Sequence, residues 1–344
     1  MCGIFAWAGN NPKKFNKAKF DIQGIFNDER GGDSCGVTTD GEIYYGVDRG
    51  RKEYKDFLVE SDYIAPLKIP TVFGHTRKSS QGIINSHNAH PFGFGDNNEG
   101  FRFIGCHNGT LHNHKEIARK YNVEDILYKT SEFNTQIYER TKIDSEILLE
   151  AVYKSNSYHP LEEYIGGAAL LFTDTTEPNV LYAFHGSSRK DWDDDHKKAF
   201  EERPLYYFKE SKNSLYVSSL SESLVAIGGV INETIFEFEC NVVYKIKDGD
   251  IDKAETIKVN RNKAHQTANT GNNHFSHYPN HSMIPTRQIS QCGNYNRNKI
   301  TKKDKRKLKD LLNYQIDNIY DEKEERLFLS PIIFSNLRYR RNGH

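Results

Sequence analysis

Short apolar runs and a few stretches of helical spacing alternate from residue 2 to about residue 250. The run from Cys2 to Gly9 is apolar and ends in Gly-Asn-Asn-Pro, which predicts a buried strand followed by a turn. Helical spacing of the apolar residues predicts helices over Lys17–Arg30, where Gly31-Gly32 ends the pattern, Glu116–Tyr121 and Asp144–Lys154.

Strands account for most of the remaining pattern. Val37 to Tyr45 predicts a hairpin, because β-prone arms flank the turn dipeptide Asp40-Gly41. Further strands are predicted over Thr71–His75, Phe101–Cys106, Ala168–Thr173, Val180–Phe184, Leu205–Phe208, Leu215–Ser218 and Phe236–Ile246. Strands in series, with helices inserted in pairs, favour an antiparallel α+β layered domain over a Rossmann fold.

The composition changes near Asp250. Residues 260–298 contain nine Asn and four His with little periodic apolar content, which is typical of a long loop or linker. Seven of the eleven residues 299–309 are basic, and a helical stripe follows. The stripe is Leu308, Leu311, Leu312, Ile316 and Ile319. We therefore predict a domain over 2–250, a linker over 251–298 and an amphipathic tail over 299–344, which packs either on its own domain or on a partner.

Charge and length narrow the function classes. Forty-seven Lys plus Arg balance forty-seven Asp plus Glu, so no global field attracts nucleic acid or an anionic membrane. With 344 residues and 36% hydrophobic content the chain has enough material for a sizeable core. It has neither a membrane-length apolar run nor the basic start of a secretion signal, and we expect a cytoplasmic protein.

Five cysteines, an odd number without a Cys-x-x-Cys pair, are expected to be free thiols. Cys2 differs from the other cysteines because it directly follows the initiator Met. A small residue at this position normally allows Met1 to be removed. The mature chain would then begin with a thiol and a free α-amine in the same residue. That amine, with a pKa of about 7.7 to 8.0, is a suitable base for the thiol proton.

Six short segments stand in order along the chain. They are Cys2-Gly3-Ile4, Arg30-Gly31-Gly32-Asp33-Ser34-Cys35-Gly36, Gly74-His75-Thr76-Arg77, Asn88-Ala89-His90-Pro91, His107-Asn108-Gly109-Thr110-Leu111-His112-Asn113 and Asp144-Ser145-Glu146. This series, which begins with a cysteine at position 2, resembles the class II glutamine amidotransferases, whose glutaminase domains are N-terminal nucleophile hydrolases. The resemblance covers about residues 2 to 248, with weaker echoes at 166–169, 203–206 and 216–219.

The resemblance implies a four-layer αββα sandwich and a set of site residues. Cys2 would be the nucleophile, and the Asn108 side chain with the Gly109 N–H would stabilise the oxyanion. Arg77 would bind the α-carboxylate of L-glutamine and Asp144 its ammonium group. The remaining implied residues are His75 and His90 near the substrate, and Arg30 and Gly31 as supports. Neither a metal nor a cofactor is implied.

Each of these residues also has an ordinary structural interpretation. Arg77 could form a surface ion pair, Asp144 could cap the following helix, and Asn108-Gly109 could be a tight turn. The order of the six segments favours the functional interpretation. Similarly, His75 and His90 could be satisfied structural histidines.

The chain also departs from the family pattern. After Arg77 it has Lys78-Ser79-Ser80-Gln81, where the sugar-phosphate branch of the family has Trp-Ala-Thr-His. No recognisable acceptor domain follows. Three hypotheses therefore remain: a subunit that passes ammonia to a separate synthetase, a stand-alone amidohydrolase on another γ-glutamyl amide, and a non-enzymatic descendant. The tail stripe is the predicted contact with the synthetase or with a second copy of this chain.

Two further polar clusters are predicted to have no catalytic or metal-binding role. His274, His277 and His281 lie in the Asn-rich segment, which predicts a solvated linker rather than a zinc site. The acidic cluster Asp191–Asp195 lacks the glycine and distal glutamate of a calcium loop, and we predict a solvent loop.

Overall fold

The computed structural model describes residues 2–46, 54, 57–58, 67–79, 84, 86–97, 100–124, 126–130, 137–187 and 203–260. Of the two units into which the chain divides, Met1–Thr270 and Gly271–His344, only the first contains described residues. The predicted amphipathic tail, the three linker histidines and the acidic cluster at 191–195 therefore lie outside the described residues.

Strands dominate the described part of the chain. In chain order they are β1 Gly3–Gly9, β2 Ser34–Thr39, β3 Glu42–Gly46, β4 Thr71–Arg77, β5 Phe92–Asn97, β6 Gly100–Leu111, β7 Ile126–Thr130, β8 Ile137–Thr141, β9 Gly166–Asp174, β10 Val180–Ser187, β11 Tyr206–Ser211, β12 Ser214–Ser218, β13 Ile235–Glu237, β14 Val242–Lys247 and β15 Glu255–Lys258. The helices are α1 Lys17–Asp28, α2 His114–Lys120, α3 Asp144–Ser155, α4 His159–Glu163 and α5 Ser221–Ala226.

Two antiparallel sheets contain most of these strands. Sheet 1 has seven strands in the order β13-β11-β12-β1-β4-β2-β3, and sheet 2 has six in the order β15-β14-β10-β9-β6-β5. Strands β7 and β8 form a separate pair. Strand β1 lies in the middle of sheet 1, between β12 and β4. The start of the chain is therefore held from both sides.

The two sheets pack face to face, with helices on their outer faces. On β1, Ile4, Ala6 and Ala8 belong to the core between the sheets, whereas Phe5 and Trp7 pack in a second core with residues of α1 and α5. A third core joins the outer face of sheet 2 to α3 and α4. This gives the order helices, sheet, sheet, helices, as the resemblance implies. Because β1 is covered on both faces, its sequence is continuously apolar.

Most predicted elements form close to their expected positions. The helix predicted over 17–30 spans Lys17–Asp28, and the hairpin forms between β2 and β3. At its turn Asp40 and Gly41 have φ values of 55° and 83°, the left-handed backbone that this dipeptide favours. All pairings between named strands in the described ranges are antiparallel, which agrees with α+β rather than a Rossmann fold.

The prediction of one strand over Phe236–Ile246 is wrong. Two strands, β13 and β14, occupy this range in different sheets, and Asn241 between them has a left-handed φ of 61°. The strand alternation continues on both sides, so the pattern does not reveal the change of sheet. Strand β15 pairs with β14, so sheet 2 continues past residue 250, where the linker was predicted to begin.

Candidate active site

The candidate site lies at one end of the space between the two sheets. Side chains alternate along a strand, so Cys2 falls in phase with Ile4 on the inner face of sheet 1. Arg77, at the end of β4, is likewise in phase with Phe73. Asn108 has the same phase as the inner residues of β6 on the facing sheet. The apolar faces of three strands thus end in polar residues at one place.

A pocket of about 260 Å³, measured with its open mouth included, occupies this place. The residues that line it come from the chain start, from β4 and the residue after it, from the segment before β5, from β6, and from the start of α3 with the residue before it. They are Cys2, Arg77, Lys78, His90, His107, Gly109, Ile143, Asp144 and Ser145. Five residues predicted from the sequence are among them: Cys2, Arg77, His90, Gly109 and Asp144.

Cys2 is half-buried at the pocket, just before β1. The Lys78 N–H donates to its Sγ at 3.2 Å, and the thiol is 3.5 Å from the Lys78 carbonyl oxygen. Burial raises the pKa of the Cys2 thiol, and this effect outweighs the opposing influence of the Lys78 N–H and the Arg77 charge. The resting thiol therefore needs a base to react at neutral pH.

Arg77 is 3% exposed, although it carries a charge. Burial lowers the pKa of its guanidinium, and Cys2, Asp33 and Asp144 act in the opposite direction. Arg77 is therefore not the surface residue that the structural interpretation supposed. A buried guanidinium beside a pocket can bind a carboxylate in a bidentate fork.

Asp144 is the first residue of α3 and is 4% exposed. Its Oδ2 accepts from the Leu111 N–H and its Oδ1 from the Ser145 N–H, both at 2.9 Å. The carboxylate therefore joins the start of α3 to the end of β6. The N-cap position of α3 is Ile143, without a side-chain cap, so Asp144 is not the cap considered from the sequence, and it lines the pocket.

Asn108 and Gly109 lie within β6, not in a tight turn, and pair with Ala169 and Ala168 of β9. The Asn108 side chain is buried and its Nδ2 is 3.4 Å from Ser219 Oγ. A Cβ on residue 109 would lie 2.1 Å from the Gly167 carbonyl oxygen. Only glycine fits there, because the adjacent strand approaches so closely.

Three buried histidines stand beside the pocket. His75 Nδ1 and His90 Nδ1 are 3.3 Å apart, and His107 Nδ1 is 2.7 Å from Ser145 Oγ. Burial lowers the pKa of all three, and that of His107 falls to about 4. At neutral pH the rings are uncharged. His90 and His107 line the pocket and His75 lies behind them.

The two predicted supports contact the segments around Cys2. Arg30 Nη1 donates to the Ser219 carbonyl oxygen at 2.9 Å, and Ser219 in turn bonds to both backbone groups of Ile4. A Cβ on Gly31 would lie 2.7 Å from the Thr76 carbonyl carbon, so the absence of a side chain lets α1 end directly against β4.

The sequence motifs indicate no role for four polar residues that the structure places at the site: Asp33, Lys78, His107 and Ser145. Three of them stand inside the quoted segments, which was the available signal. Lys78 stands out in the sequence only as a departure from the family pattern. Its contact with Cys2 runs through the backbone, which side-chain motifs do not reveal.

The chain is similar in sequence to several known enzymes. The chain is 25% identical over 194 residues to the glutamine–fructose-6-phosphate aminotransferase (isomerizing) of Bacillus anthracis, covering 55% of this chain and 29% of that protein. It is 31% identical over 201 residues to the enzyme of the same name from Staphylococcus aureus, covering 55% and 30%. The chain thus spans less than a third of these relatives. No protein-family model matches it.

Solved structures share the fold. The glutamine phosphoribosylpyrophosphate amidotransferase from B. subtilis aligns with a TM-score of 0.51 and 19% identity, over 75% of this chain and 49% of that one. A structure described as the allosteric regulatory enzyme of purine biosynthesis gives a TM-score of 0.52 at 19% identity, with the same coverage. The predicted four-layer α+β sandwich is confirmed.

The predicted resemblance to class II glutamine amidotransferases, a class of enzymes, is confirmed for this domain. The roles predicted for its individual residues stay predictions. Among the described helices none is long and apolar enough to cross a membrane. Within the same described ranges no three His, Cys, Asp or Glu side chains are grouped as metal ligands.

Proposed function

We propose that this domain hydrolyses the side-chain amide of L-glutamine to glutamate and ammonia through a thioester on Cys2. One observation carries the proposal. A cysteine from the chain start, a buried guanidinium and a buried carboxylate lie on the same small pocket. A nucleophile, an anion-binding group and a cation-binding group are what an enzyme acting on a zwitterionic amide requires.

The chemistry begins with the thiol proton. After removal of Met1 the α-amine of Cys2 accepts this proton, which the raised thiol pKa makes necessary. The sulfur then attacks the δ-carbon of glutamine, and a tetrahedral oxyanion forms. The proton moves to the leaving nitrogen, the C–N bond breaks, and ammonia departs. Water attacks the thioester, the C–S bond breaks, and glutamate leaves as the thiol regains its proton.

The oxyanion is assigned to Asn108 and Gly109. Asn108 Nδ2 is held near Ser219 Oγ on one side, and the Gly109 backbone lies at the pocket wall. Donors fixed before reaction stabilise developing charge without reorganising, and losing one such donor typically costs about a hundred- to a thousandfold in rate. The close approach of β9 at Gly109 supports this fixed position.

Recognition of the amino acid is assigned to Arg77 and Asp144. The Asp144 carboxylate is anchored by two backbone N–H groups, so its position does not depend on substrate. The neutral histidines next to it add no competing positive charge at neutral pH. An ammonium group thus meets a carboxylate whose direction is already set.

The ammonia acceptor is proposed to be a separate enzyme. The relatives name two different acceptors, fructose 6-phosphate and phosphoribosylpyrophosphate, so their names do not select one. One observation favours a second candidate, an amidohydrolase acting on another γ-glutamyl amide: Lys78, where the sugar-phosphate branch has Trp, lines the pocket. A changed wall allows a larger group on the amide nitrogen.

Glutamate release by the purified full chain tests the hydrolysis. We expect release from L-glutamine, none from Cys2→Ala, and a mass showing that the active chain begins at Cys2. Alanine at this position still permits removal of Met1, so the variant differs only in the thiol. An active, homogeneous preparation that retains Met1, or release by Cys2→Ala at the parental rate, would contradict the mechanism. Faster cleavage of N-substituted γ-glutamyl amides than of glutamine would select the amidohydrolase.

We further propose that the tail beyond Asn260 attaches the domain to a partner. A truncated chain tests this proposal. It must end after β15, at Asn260, because this strand forms the edge of sheet 2. The shortened chain should release glutamate at the parental rate. Light scattering should show that it no longer binds the partner or a second copy of itself. If it unfolds instead, the tail is part of the domain and the partner proposal fails.

A further inference from the structure

The segment after β4 is held by a carboxylate to which the proposed mechanism gives no task. Asp33 is 3% exposed. Its Oδ2 accepts from the Ser79 N–H at 2.9 Å, and its Oδ1 faces Lys78 Nζ at 3.3 Å. Between these two contacts stands the Lys78 N–H, which donates to Cys2 Sγ at 3.2 Å.

We propose that Asp33 is a positioning residue for the nucleophile: its carboxylate fixes the Lys78-Ser79 backbone so that the Lys78 N–H donates to the Cys2 sulfur. This inference rests on the proposed function in taking Cys2 as the nucleophile. It adds a residue and a backbone donor that none of the roles above includes.

Asp33 is well placed to fix this segment. Its own N–H donates to the Arg77 carbonyl oxygen at 3.0 Å, and the next residue, Ser34, pairs with Arg77 in the sheet. Gly32 before it has a φ of 84°, which turns the chain from the end of α1 into β2. Backbone and side chain of Asp33 therefore hold residues 77–79 together.

The donated hydrogen bond matters because it favours the charged form of the sulfur. A thiolate accepts an N–H, whereas a thiol does so weakly, so the Lys78 N–H lowers the pKa that burial raises. The other charged groups that face Cys2 are Arg77, Arg30, Asp144 and the chain's amino terminus. Asp33 acts on the sulfur through the position of the donor.

A plain surface ion pair between Asp33 and Lys78 would make different predictions. The Lys78 side chain is 44% exposed, and pairs of this kind contribute little. If the backbone contacts carry the effect, Lys78→Met leaves the sulfur nearly unchanged, because it keeps the N–H. Asp33→Ala removes the acceptor for Ser79 and releases the segment.

Asp250 supplies a matched control. It is 5% exposed and its Oδ2 lies 3.9 Å from the ammonium of Lys253, an exposed lysine, much as Asp33 lies beside Lys78. Its neighbour Gly249 packs against Ala8 and Gly9, at the end of β1 remote from Cys2. Asp250→Ala removes a similar buried carboxylate without touching the segment after β4.

The experiment measures the pH dependence of Cys2 alkylation by iodoacetamide in the full chain, read by the mass of the N-terminal peptide. We expect Asp33→Ala to raise the thiol pKa and slow alkylation at neutral pH about three- to tenfold, the effect of losing one ordinary hydrogen bond. Asp33→Asn should lie between this variant and the parent, because an amide oxygen is a weaker acceptor than a carboxylate. Lys78→Met and Asp250→Ala should stay near the parent.

If Asp33 were purely structural, Asp33→Ala would lower the melting temperature without moving the pKa of the Cys2 thiol. Parental alkylation in folded Asp33→Ala overturns the proposal. If Asp33→Ala does not fold, parental alkylation in folded Asp33→Asn overturns the proposal instead. Alkylation requires no glutamine, so a chain with the expected pattern but no glutamate release would refute the proposed function and leave the positioning role intact.

Discussion

The space between the two sheets has an apolar part and a polar end, and single strands pass from one to the other. On the inner face of β4, Phe73 belongs to the inter-sheet core, while His75 and Arg77 on the same strand lead into the pocket. On β6, Cys106 lies in the core and Asn108 at the polar end. All five are buried.

Burial has opposite effects on folding stability in the two parts. Burying an apolar side chain contributes roughly 1.5 to 3 kcal/mol to folding, whereas a buried charge costs several kcal/mol unless it is compensated. Stability alone would favour apolar residues at both ends. We therefore expect substitutions in the apolar part to change mainly the free energy of unfolding, and substitutions of the groups proposed to contact substrate at the polar end to change mainly activity.

Two cysteines give the largest predicted contrast. Cys2→Ala should abolish glutamate release, by at least about a thousandfold, because the nucleophile is lost. Its melting temperature should be unchanged, since the thiol is half-buried and small. Cys106→Ala, in the core, should keep parental release and lose about 1 to 2 kcal/mol in the free energy of unfolding. The reverse pattern would contradict the division between the two parts.

Protonation of His107 gives the next effect. Its pKa falls from 6.5 to about 4 on burial, so between these values the unfolded chain binds more protons than the folded one. Stability from this group is complete above pH 6.5 and falls as the pH drops, by about 3 kcal/mol in total. Denaturation across this range measures it.

Two histidine variants sharpen this prediction. His107→Asn should flatten the loss of stability between pH 6.5 and 4 relative to the parent. His107→Gln should do the same, because neither amide side chain titrates in this range. Equal slopes in the parent and His107→Asn would show that His107 is not held neutral by burial.

The sequence predicted the apolar part better than the polar end. The continuous apolar run of β1 indicates a strand covered on both faces, and Asp40-Gly41 specifies its own turn. Cys2, Arg77 and Asp144, in contrast, are far apart along the chain, and periodicity does not tell which strands are neighbours. The family resemblance supplied that information. The Lys78 donor is a backbone group, so no side-chain pattern indicates it.

The smallest effects concern substrate recognition. Arg77→Ala and Asp144→Ala should each raise the apparent KM for glutamine roughly ten- to hundredfold, the equivalent of about 1.5 to 3 kcal/mol for a charged hydrogen bond. Asp144→Ala should also lower stability, because it removes the acceptor of the Leu111 N–H. Leu171→Ala, in the core, is the control: it should keep the parental KM and lose about 2 to 5 kcal/mol of stability. A parental KM in both pocket variants would favour a different amide as substrate.

Detection of the thioester tests the central claim most directly. The full chain is mixed with L-glutamine, quenched in acid within one turnover, and its N-terminal peptide is weighed. We predict a peptide that begins at Cys2 and carries one γ-glutamyl group, absent in Cys2→Ala and removed by hydroxylamine. Glutamate release without any such adduct on Cys2 in the pre-steady state, or an adduct on another residue, would contradict the account.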